Sequence, residues 1–128
     1  MMFGSKWSGA VQVPHVHAVM GGPSALLGVD ESLVLERYAR LVCDLEIVQA
    51  VLVDSSLEGI GIWTIIDAEP LEFAPRKPVY NAELQASQVA PDAKVLFHLI
   101  NQREYREDEL NQTLPVNGLV VWQRPRPT

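Results

Sequence analysis

The sequence predicts a small α+β domain, a mixed β-sheet with two main helices packed on one face. Three observations carry this. Apolar residues recur at helical spacing in two stretches, Val34, Tyr38, Leu41, Val42 and Leu45, then Val79, Ala82, Ala86 and Val89. Short runs rich in β-branched residues at 47–53, 60–66, 95–100 and 119–122 read as strands. Their order is helix, strand, strand, helix, strand, short helix, strand. A ferredoxin-like βαββαβ sandwich, with a first strand drawn from Val11 to Met20, is the alternative arrangement.

Residues 1–29 read as an N-terminal arm. Gly21, Gly22 and Pro23 punctuate its end, and Pro14 restricts any strand within 10–20 to a sheet edge. Such an arm suits packing on the domain or on a second copy of it. The domain proper spans 30–124. Its first helix runs over 31–44, with Asp30 or Ser32 as the capping residue and Glu31 at the positive end of the helix dipole. Glu36, Arg37 and Arg40 fall on its polar face. The strands 47–53 and 60–66 flank the polar link DSSLEG, which reads as a turn. A second helix runs over 78–89, with Pro78 in the first turn, where its missing N–H costs nothing. Tyr80 and Leu84 lie beside its apolar stripe.

The run 95–100 is continuous and apolar apart from His98, as expected of an inner strand. REYREDELNQ reads as a short solvated helix, Asn117-Gly118 as the turn before the last strand, and 125–128 as an exposed tail.

Composition narrows the function classes. Of 128 residues, 48% are hydrophobic and 20% charged, which suits one globular domain with its own core. The net charge of -6 argues against general nucleic-acid binding, which needs a basic face, and against adhesion to anionic membranes. The single cysteine, Cys43, lies in a helical apolar pattern, so the sequence contains neither an internal disulfide nor a cysteine-rich zinc site. The N-terminal residues lack the continuous apolar core of a signal peptide, and the expected location is the cytoplasm.

The order of elements resembles the minimal nucleotidyltransferase fold of the DNA polymerase β type. The resemblance runs through VQAVLVDSS, IWTIID, PVYNAELQ, KVLFHLIN and ELNQTLPVNGLVVWQR, about Asp30 to Arg124, as pattern rather than motif identity. It implies a Gly-Ser turn cradling phosphates and two carboxylates at i and i+2 on the next strand. These share a face because side chains alternate, and a third carboxylate from a neighbouring strand helps them hold Mg²⁺. Here the turn position is Asp54-Ser55-Ser56, the paired position lies within Gly61-Ile62-Trp63-Thr64-Ile65, and the third falls among Val95 to Phe97. None supplies the expected group. The resemblance therefore implies a degenerate, non-catalytic relative, with no catalytic, cofactor-binding or metal-binding residue carried over and no cofactor expected.

Other residues invite a functional reading beside a structural one. His15 and His17 form an H-x-H pair that extended backbone would place on one face; it lacks a third ligand and reads as a surface or interface pair. Asp67 and Glu69 also stand at i and i+2, but beyond the strand, and read as a solvated strand end. His98 reads as a hydrogen-bonded core or sheet-face histidine, and Trp63 as core or a sheet-face anchor. Trp7 and Trp122 sit in flanking segments, where aromatic residues serve either docking or burial. No phosphate-loop or dinucleotide signature occurs.

Two functions follow as expectations. The first is a non-catalytic interaction or regulatory domain that associates with itself or with another protein. The alternative is a small-molecule binding protein or enzyme with a pocket near Trp63, Tyr80 and His98.

Overall fold

A computed structural model of the chain describes residues 28–56 and 59–125. The N-terminal arm with its expected strand, His15, His17 and Trp7 lie outside the described residues, as does nearly all of the tail. The elements are α1 (Val29–Val42), β1 (Val48–Ser56), β2 (Gly59–Ile66), α2 (Lys77–Ser87), β3 (Val95–Asn101), α3 (Glu107–Thr113) and β4 (Leu119–Gln123). The four strands form one mixed sheet in the order β3-β2-β1-β4. β1 pairs antiparallel with β2 and β4, while β2 and β3 run parallel. The small α+β fold expected from the sequence is therefore present. The ferredoxin-like alternative needs its first strand beside β2, a place that β3 occupies.

α1 and α2 cover one face, as their stripes predict, except that α2 ends at Ser87 and Val89, expected in its stripe, lies past it and is exposed. Val34, Leu35, Tyr38 and Val42 of α1 and Val79, Ala82 and Ala86 of α2 share one buried core with Val51, Val53, Ile60, Ile62, Ile66 and Val121 of the sheet. A polar link runs through it: the Tyr38 hydroxyl bonds the Thr64 hydroxyl at 2.5 Å, and the Tyr38 ring packs on Phe97 at 5.0 Å between centroids. Burial in this core pushes the phenol far above its ordinary range, despite the Thr64 bond and with help from the nearby Glu83.

Four local readings change. α1 begins two residues earlier than its pattern suggests. Its N-cap is Gly28, without a side-chain cap, so Asp30 and Ser32 lie inside the helix. Glu31 instead accepts a hydrogen bond from the Lys94 backbone N–H at 2.8 Å, tying α1 to the start of β3. The Asp54-Ser55-Ser56 stretch read as a turn is strand, because β1 and β2 pair almost to their tips, with Ser56 opposite Gly59. Gly59 has φ +132, and a Cβ there would stand 2.2 Å from the Lys94 carbonyl oxygen, so the tight connection requires glycine.

α3 is not simply a solvated helix. Its charged residues face outward, but Leu110 and Leu114 are buried against Ala50, Leu52, Ile65, Ile100 and Val120 on the second face of the sheet. Two apolar side chains four apart suffice to seat a short helix whose charge pattern masks them. Finally, β3 is an edge strand among the described residues, not an inner one. Its apolar composition is explained only in part by burial, since Phe97 and Leu99 pack against the helical core while Leu96 is exposed.

Two clasps fix the ends of the sheet. Asn101 is buried, and its amide donates to the Ala68 carbonyl at 2.7 Å and accepts from the Ala68 N–H at 3.2 Å. Arg124 donates to the carbonyls of Val48 (2.8 Å) and Leu45 (2.6 Å) and lies 5.1 Å above the Trp122 ring. Among the described residues, no helix is long and apolar enough to cross a membrane.

Candidate functional site

α3 covers only part of the second sheet face. Beyond it, β1, β2 and β3 each present polar or aromatic side chains that period-two alternation places on that face. Asp54 lies opposite Gly61, and Trp63 opposite His98. The Trp63 indole and the His98 imidazole stack with centroids 4.0 Å apart and planes 15° from parallel. The indole N–H donates to the Asp54 carboxylate at 3.0 Å.

Gly61 makes this closeness tolerable. A Cβ there would stand 2.5 Å from the Asp54 carboxylate and 3.1 Å from the indole nitrogen. The glycine thus lets the carboxylate and the indole meet over its own backbone. All three flanking side chains are partly exposed, and Trp63 also packs against the α3 core at its margin.

This corner gathers two aromatic rings and a carboxylate at one place on the sheet. The Asp54 carboxylate accepts its hydrogen bond from the indole N–H rather than from His98. The corner thus holds two stacked rings beside a carboxylate.

The expected grouping of Trp63, Tyr80 and His98 is half realised. Trp63 and His98 meet directly. Tyr80 belongs to α2 on the other side of the sheet, and the layer between helices and sheet is filled by side chains such as Tyr38, Ile62 and Thr64, all essentially inaccessible. Sequence reasoning also missed Asp54 and Gly61 as partners of Trp63. The signal was available in the alternation Asp54/Leu52 and Gly61/Trp63, but only once the hairpin register was known.

The remaining candidates fall elsewhere. Asp67 and Glu69 lie at the solvated end of β2, as expected. Both pair with Arg103, Glu69 at 2.7 Å, and Arg76 joins Glu104 at 3.2 Å nearby. Cys43 is partly buried and donates to the Arg40 carbonyl; burial, with Asp44 next to it, pushes its thiol up from the ordinary value. Trp122 is buried in the helical core. No group of three potential metal ligands is gathered among the described residues.

With the corner defined, the chain can be set beside known proteins. No family model, curated protein or solved structure matches it. The fold defines its class as a small α+β domain with a four-stranded mixed sheet.

Proposed function

We propose that this protein is a non-catalytic interaction domain that associates with itself, built on a nucleotidyltransferase-like scaffold. The observation that carries the reading is the Trp63–His98 stack buttressed by Asp54. It sits on a sheet face that α3 leaves uncovered, next to β3, the edge strand among the described residues. The scaffold part draws support from the order of elements and from the parallel β2–α2–β3 crossover. In that comparison, the i and i+2 positions on the uncovered face are Gly61 and Trp63. A side chain that stacks has replaced the groups that would bind a metal ion.

The experiment is size-exclusion chromatography with light scattering over a wide range of protein concentration. The expected result is a mass that rises from one chain to two. A mass of one chain at every concentration overturns self-association. Isothermal calorimetry with ATP and Mg²⁺ checks the non-catalytic part, and saturable Mg²⁺-dependent binding would count against it.

A further inference from the structure

β3 has the composition of an inner strand and the position of an edge. The segment Val95–Asn101, VLFHLIN, carries no charged residue and no proline, and among the described residues it pairs only with β2. Edge strands left open in this way are templates for another strand, and proteins ordinarily blunt them with charge, proline or a covering segment. Leu96 on this strand is 68% exposed.

The helix above shows the same property. Val89, just past the end of α2, lines a groove with Leu33, Glu36, Arg37 and Arg40 of α1. At 100° per residue, Tyr80 and Leu84 of α2 lie about 40° apart, both clear of the buried stripe of Val79, Ala82 and Ala86. These two are 39% and 66% exposed. Because α2 is the crossover between parallel neighbours β2 and β3, the flank turned away from α1 overhangs the β3 side. One side of a molecule of net charge -6 thus joins an uncharged open ladder to uncharged apolar side chains above and below it.

Resting on the self-association proposed above, we infer that this side binds a second copy of the chain, the two β3 strands pairing antiparallel about a two-fold axis at His98. His98 is the midpoint of Val95–Asn101, so this register alone pairs every residue of both strands. Each face of the sheet then continues across the axis. The His98 ring, stacked on Trp63 on its inner side, meets the partner's His98 on its outer side, giving a four-ring row. Leu96 comes beside the partner's Ile100, and the Tyr80/Leu84 flanks of the two α2 helices face each other.

Charge fits the same register. Lys94 has no ion pair among the described residues and arrives where the partner's chain turns out of β3 into 102–104. There Glu104 holds an accessible carboxylate, engaged among the described residues only by Arg76. An unrelated extended peptide would complete the ladder but leave Tyr80 and Leu84 uncovered, which is why a second copy is the occupant. One strand pair and one helix flank lie at the small end of specific interfaces, roughly 1,200 Å² in total, so the dimer is concentration-dependent.

The test uses the full chain with two variants. In a Cys43→Ser background, His98→Cys places thiols opposite each other across the axis. Mild oxidation or a short bis-maleimide should give a covalent dimer, whereas Leu119→Cys on the exposed start of β4 should give none. Separately, Leu96→Lys should raise the dimer dissociation constant by at least ~10-fold in light scattering, with an unchanged circular dichroism spectrum. A dimer that cross-links through position 119 and not 98, or that ignores Leu96→Lys, overturns this inference and leaves self-association standing by another surface. A wild-type chain that is monomeric throughout overturns both.

Discussion

On the helical side of the sheet, Val51, Ile62 and Ile66 share one continuous core with Leu35, Val42 and Val79. On the other side, α3 reaches Leu52, Ile65 and Ile100 through Leu110 and Leu114, with Trp63 at the margin of that core and Asp54 and His98 beyond it. The same strands therefore serve two purposes through alternation alone. One face is committed to stability along its whole length, while the other is divided between a short seal and an accessible corner. Residues on the covered face should dominate folding. Residues in the corner should matter little for folding and more for contact.

The sharpest way to break this comparison is to cut into each core in turn. Leu35 is fully buried between α1 and the sheet, and Leu35→Ala should cost about 3–5 kcal/mol in urea denaturation, from lost burial plus the cavity. Leu110 is equally inaccessible but belongs to a seven-residue helix whose surroundings can collapse more readily. Leu110→Ala should therefore cost less, about 2–3 kcal/mol. If Leu110→Ala proves the more damaging, the second face is a full structural core and the division fails.

How much of this was legible in the chain follows from the same division. The helical face is written in residues whose spacing has one reading: Val34, Tyr38 and Val42, or Val79, Ala82 and Ala86, can only be a stripe. β1 and β2 were recognisable as strands, but their length was not, because Asp54, Ser55 and Ser56 carry turn chemistry and become strand only through cross-strand pairing with Gly59, Ile60 and Gly61. Leu110 and Leu114 were hidden by the six charged residues of REYREDEL around them. The edge position of β3 among the described strands was illegible for a different reason. Strand order is a property of long-range pairing, and a run such as VLFHLI reads alike at the centre of a sheet and at an interface-forming edge. The candidate corner was legible as residues, Trp63 and His98, but its geometry depends on register, so Asp54 and Gly61 went unnoticed.

Gly61 offers a finer probe of the corner. Gly61→Ala places a methyl group against the Asp54 carboxylate, which must swing away and release the indole N–H. The expected cost to folding is about 1–2 kcal/mol, the scale of one hydrogen bond with local crowding. The His98 ring-proton resonances should move, since aromatic stacking sets their shielding. Unchanged resonances would show that the Trp63–His98 stack does not depend on the Asp54 bond.

The smallest effect belongs to Glu83, a carboxyl of α2 beside the helical core. Partial burial pushes it up to about 6, above the ordinary carboxylate value. A group raised in the folded state favours folding most when it is protonated in both states. Its contribution is thus fully present below the unfolded value, near pH 4.5, and is lost as pH rises through about 6. At pH 7.5 the ionised carboxylate opposes folding, weakly, because water still reaches it. Glu83→Gln should then stabilise the protein by about 0.5 kcal/mol at pH 7.5, after discounting for solvent screening. At pH 4 the two proteins should be alike, since both side chains are neutral there. A stability difference that stays constant between these pH values would trace the gain to packing or helix propensity, and would remove Glu83 from the electrostatics of the covered face.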